Sequence, residues 1–120
     1  MERRDEVERA ISAHCEWKQR LAAAIASGSS DFRVSEVTAD DRCDFGRWLL
    51  GLPQQLQQTI EGEMVRKIHR QFHSEAGRVL ALALSGRRDD ASEAMNPMSR
   101  YAALSSQLVR SMEQWKMALM

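Results

Sequence analysis

Two histidines four residues apart, in the stretch "KIHRQFHSEAG" from Lys67 to Gly77, are the first side chains in this sequence with the type and spacing to do chemistry. Residues four apart on a helix lie one above the other on the same face. His69 and His73 are therefore candidates to grip a single metal ion through two imidazole nitrogens. The chain's third histidine, His14, falls on an inward stripe of another segment, between Ile11 and Leu21, where a neutral imidazole needs a buried partner. A zinc ion would satisfy all three rings at once.

Three histidines leave a tetrahedral zinc one ligand short. Cys43 is the best candidate for the fourth. It stands just behind Asp40-Asp41, in the first turn of a short helix, where backbone N–H groups and the helix dipole favour a thiolate. Cys15 is the rival thiol, but it follows His14 directly and on a helix points about 100° away from it. It reads as a small packing residue. Di-iron bundles draw on Glu-x-x-His pairs; here the residues three before the histidines are Ile11, Arg66 and Arg70, so that chemistry is not supported.

Helices must position these groups. With two prolines and six glycines in 120 residues, and an abundance of Ala, Leu, Glu, Gln, Arg and Met, the chain is built of helix formers. Apolar periodicity predicts a first helix over 5–26, with Val7, Ile11, His14, Leu21 and Ile25 on one stripe and Trp17 at its edge. The stretch from Ser27 to Asp41 reads as a loop. A short helix over "DDRCDFGRWLLG", capped by Asp40 or Asp41, carries Cys43, Phe45 and Trp48 and ends at Gly51-Leu52-Pro53. A helical turn over "PQQLQQTI" precedes a long helix over 61–84, and "DDASEAM" leads into a last helix over 97–119 with Asn96-Pro97 as its start. Tyr101, Leu104, Leu108, Met112, Trp115 and Leu119 form the last helix's stripe. The expected fold is all-α: a four-helix bundle with an additional short helix carrying the cysteine ligand, as one domain over 1–120 with its core over about 7–118.

The long helix has a second apolar stripe, Ile68, Phe72, Val79 and Leu82, rotated from the one that holds Val65, His69, His73, Ala76 and Leu80. An apolar arc that wide is buried on more than one side. It predicts a homodimer with Ile68, Val79 or Leu82 near the contact, unless the chain's own short helix covers the stripe. Trp17, Phe45 and Trp48 read as core aromatics rather than a ligand-stacking cluster.

Lysine plus arginine number 17 and aspartate plus glutamate 17, so the formal net charge is zero and nothing points to nucleic acid. No stretch has the length and apolarity to cross a bilayer, and "MERRDEVERA" lacks the apolar core of a signal peptide. The expected setting is cytoplasmic, with both cysteines as thiols.

"HCEWK" from His14, "CDFGRWL" from Cys43 and "HRQFH" from His69 resemble, in order and spacing, the chemoreceptor zinc-binding (CZB) domain of bacteria, over residues 7–118 or so. The family pattern is roughly H-x-x-W-K, C-x-[LF]-G-[KR]-W and H-x-x-[FV]-H, then a final helix; Cys15 is not part of it. The resemblance implies a helical bundle with zinc held by three histidines and one cysteine, by position His14, Cys43, His69 and His73. It further implies a sensory module for zinc, or for oxidants such as hypochlorous acid, without catalysis of its own. Such modules are attached to a chemoreceptor or a diguanylate cyclase, and the closing "WKMAL" looks most like the cyclase type. The sequence contains no cyclase or methyl-accepting region, so it reads as a stand-alone member or an excised domain. Two other readings use the same residues: a structural dimerisation bundle held by zinc, and a zinc hydrolase or lyase with a three-histidine site in which Cys43 does not ligate.

Overall fold

Among the described residues, a helix-forming composition with few breakers gives seven helices and no strand. The computed structural model describes residues 3–30, 33–39 and 44–119. Helix α1 spans Arg3–Ser27, α2 Val34–Thr38, α3 Asp44–Leu50, α4 Gln54–Gln57, α5 Ile60–Leu84, α6 Arg88–Ala94 and α7 Arg100–Leu119. The three long helices α1, α5 and α7 pack on one another; α2 and α6 lie against α5, and α3 against α1. This is the all-α bundle expected, with short segments closing the sides that the long helices leave open.

Helix ends follow local chemistry. The Thr59 hydroxyl accepts from the Gly62 amide (3.0 Å) at the start of α5, and Glu61 and Glu63 place negative charge on the first turn. The same helix stops where Gly86 turns to φ +80°, letting the Arg87 amide reach back to the Leu82 carbonyl (3.0 Å) and the Gly86 amide to that of Ala83 (3.4 Å). The last helix starts later than its sequence suggested. Asn96 makes a turn, its carboxamide oxygen accepting from the Met98 amide (2.7 Å), and Ser99 caps α7 by accepting from the Ala102 amide (3.1 Å).

Two expectations change. The stretch from Ser27 to Asp41 is not all loop: α2 lies in it, tied by the Glu36 carboxylate accepting from the Arg33 amide (3.0 Å), and its Val37 is buried against the core. The segment is too short to show helical periodicity in sequence, and its stability comes from packing on α5. Gly77 admits it: a Cβ at that position would collide with the Thr38 hydroxyl. The second stripe of α5 is largely covered within the chain itself. Ile68 (7 % exposed), Phe72 and Val79 (both 0 %) are covered by the chain's own helices, and Leu82 packs at the edge of the core. The burial that had pointed to a homodimer is thus met within one chain.

The core is continuous. Val7, Trp17 and Leu21 of α1 meet Phe45 and Leu49 of α3, Val65, Phe72 and Val79 of α5, and Leu104, Leu108, Met112 and Trp115 of α7. Trp17 and Phe45 are core residues, as their spacing predicts. No described helix is long and apolar enough to cross a membrane.

Candidate metal centre

All three histidines are buried: His14 is 3 % exposed, His69 and His73 1 % each. His14 faces inward from α1 because it continues the stripe of Val7 and Leu21. The other two come from consecutive turns of α5, and their ring centroids lie 4.5 Å apart. Aromatic side chains fill the space around them. Phe72 lies edge-on to His14 (4.4 Å between centroids) and Phe45 stacks on His69 (4.4 Å, 23° between planes). Phe45 also approaches His14 (6.3 Å), and Trp17 stands edge-on to His73 (5.6 Å). Three helices, α1, α3 and α5, thus converge on one aromatic and imidazole cluster. Cys43, with Asp40 and Asp41, lies outside the described residues, immediately before α3 begins at Asp44. Cys15, the rival thiol, is exposed.

Burial favours the neutral form of His14 and His69. It is the larger cause, and the charge of His73 the smaller, that takes His14 from the ordinary 6.5 down to about 4. Burial again, then His73 and His14, takes His69 to about 3. A neutral imidazole carries a lone pair on one nitrogen, the form a metal requires.

Hydrogen bonds decide which nitrogen that is. The Val37 carbonyl lies 2.8 Å from His73 Nδ1. A carbonyl only accepts, so Nδ1 carries a proton and, in the neutral ring, Nε2 holds the lone pair. This is the arrangement in which a protein orients a metal-binding imidazole through its other nitrogen. For His14, Nε2 lies 2.9 Å from Ser105 Oγ of α7, while its buried Nδ1 has no hydrogen-bond partner among the described residues. Neither Val37 nor Ser105 announces itself in the sequence. A backbone carbonyl has no residue signature, and a serine on a helix is ordinary.

Among the described residues no three His, Cys, Asp or Glu side chains are drawn together as a finished coordination set. The imidazoles are ring neighbours, with Phe72 edge-on to His14 and Phe45 stacked on His69. The donor set still fits zinc: buried imidazoles, one with a ring nitrogen that has no partner among the described residues, and a cysteine adjoining in sequence the helix that packs on them. The buried carboxylate among the described residues, Glu75, is engaged by arginines. Its Oε1 accepts from Arg78 Nη2 (2.6 Å) and Nε (3.0 Å), with Arg100 Nε 4.0 Å from Oε2.

Comparison with curated proteins and with solved structures returns no match. A sequence-family comparison does: the family described as chemoreceptor zinc-binding domain matches residues 14–80, from the first histidine through most of α5. Covering more than half of the 120 residues, the match places this chain in the chemoreceptor zinc-binding domain family, whose members are zinc-binding regulatory sensory domains.

Proposed function

We propose that this chain is a sensor whose zinc is held by His14, Cys43, His69 and His73, and whose occupancy or oxidation controls an attached or partner signalling region, a diguanylate cyclase or a chemoreceptor. The observation that carries the ligand set is the burial of three imidazoles in one cluster, with His14 Nδ1 lacking a hydrogen-bond partner among the described residues. A buried imidazole nitrogen with a lone pair and no hydrogen-bond donor facing it is free to bind a cation. Four protein ligands would close the coordination sphere and leave no position for an activated water, which favours regulation over hydrolysis.

Cys43 is the chemically soft member of that set. As a zinc-bound thiolate it can attack hypochlorous acid: the sulfur gains the oxygen to become a sulfenic acid, and chloride leaves carrying the two electrons. The oxidised sulfur is a poorer ligand. Loss of that bond would release the segment joined to α3, whose Phe45 stacks on His69 and whose Trp48 lies against Trp115 of α7 (6.0 Å between centroids). The test exposes zinc-loaded protein to stoichiometric hypochlorous acid and follows sulfenate at Cys43 together with zinc release. Coincident appearance supports the redox switch. If Cys15 or the methionines react first while Cys43 stays reduced, zinc concentration itself is the signal.

A further inference from the structure

The hydrogen bond between His14 and Ser105 joins the metal centre to a helix outside the matched family region. His14 belongs to α1 and Ser105 to α7, 91 residues later, and their Nε2 and Oγ atoms are 2.9 Å apart. Ser105 stands one turn beyond Tyr101, whose ring packs on Phe72 (5.1 Å between centroids) next to His14, so this face of α7 is held against the cluster by packing as well.

Two proton arrangements satisfy the 2.9 Å contact, because a hydroxyl can donate or accept. If Ser105 donated to Nε2, His14 would carry its proton on Nδ1. That N–H would then be buried with no acceptor among the described residues. Orphaned buried N–H groups are rare in native proteins because nothing replaces the lost water. If Nε2–H donates to Ser105, Nδ1 instead holds a lone pair, which a cation can take up. The second arrangement leaves no donor of His14 unsatisfied and makes its orphan atom useful.

We propose that Ser105 is a positioning residue for the metal centre: by accepting from His14 Nε2–H it fixes the ring's tautomer and presents Nδ1 as the ligating atom. This rests on the zinc reading above and extends it. His14 and His73 would then be oriented alike by oxygen acceptors, Ser105 Oγ for one and the Val37 carbonyl for the other, but would ligate through opposite ring nitrogens. It also makes α7 part of the centre, so the ligand geometry on α1 and the position of α7 depend on each other.

The experiment combines zinc binding with nitrogen NMR on the full chain. Ser105→Ala should lower zinc affinity about 10- to 100-fold, the range seen when the hydrogen-bond partner of a metal ligand is removed. Ser105→Thr, which keeps the hydroxyl, should stay close to wild type, and the thermal stability of each metal-free variant shows whether the fold is intact. Histidine ¹⁵N spectra of the metal-free wild type should show His14 protonated at Nε2, and on zinc addition the Nδ1 resonance should take the metal-bound shift. Equal zinc affinity with and without the Ser105 hydroxyl overturns the proposal while leaving the zinc reading intact, as does a His14 proton on Nδ1. A wild-type chain that takes up no zinc overturns both.

Discussion

His69 and His73 stand on consecutive turns of α5, buried to 1 % exposure, with ring centroids 4.5 Å apart and nearly perpendicular planes (76°). Their four-residue spacing puts the two rings on one face of the helix, where they can share an ion. Purified protein should carry one zinc per chain. His73→Ala should weaken binding by orders of magnitude, since it removes a donor from a buried set, whereas Cys15→Ala, at an exposed position, should leave it unchanged. Equal losses from the two substitutions would mean that the ligand set is wrong. Because His14 and the α5 pair come from distant parts of the chain, chelation should lower the melting temperature without unfolding the continuous apolar core.

Neutral burial of His14 and His69 predicts acid sensitivity in the metal-free chain. Their folded values, about 4 and about 3, lie below the ordinary 6.5. Between those limits the unfolded chain binds protons that the folded rings refuse, so stability is full above about pH 6.5 and falls as pH drops toward 4 and then 3. Each ring contributes a slope of up to about 1.4 kcal/mol per pH unit in that window. Urea denaturation at pH 7, 6 and 5 measures it; a stability that does not change from pH 7 to 5 would show that the rings are not buried neutral.

Gly77 is predicted to resist substitution. In an open helix, Gly→Ala is stabilising by about 1 kcal/mol, but here the added methyl meets the Thr38 hydroxyl, which is itself held to the Val34 carbonyl (2.8 Å). Gly77→Ala should therefore destabilise by about 1–3 kcal/mol. It should also weaken zinc binding, because α2 carries the Val37 carbonyl that orients His73. Thr38→Ala in the same chain should restore part of both losses. Independent, additive effects of the two substitutions would rule out the contact.

Ile68 and Val79 separate a core role from an interface role. A charge at either site would be buried within one chain, so Ile68→Glu or Val79→Asp should cost more than about 3 kcal/mol and disrupt the fold. Denaturation and sedimentation should show loss of structure. A folded variant of unchanged stability and half the wild-type mass would restore the reading in which a second copy covers this stripe.

Much of this protein is legible in its sequence because helical order is local. Periodicity and breakers placed α1, α5 and α7 to within a few residues, and the four-residue spacing of His69 and His73 put both on one face whatever packed against it. The stripe through Val7 and Leu21 turned His14 inward for the same reason. What the tertiary structure alone decided is how faces on different helices meet. Helix α2 has no pattern long enough to read and exists because α5 offers it a surface beside Gly77. The second stripe of α5 had two covers open to it, and the packing of the chain's own helices chose between them. Which nitrogen of each imidazole holds a proton depends on the Val37 carbonyl and the Ser105 hydroxyl. A hydrogen bond between α1 and α7 is set by their relative rotation and height, and no residue pattern along either helix encodes those two quantities by itself.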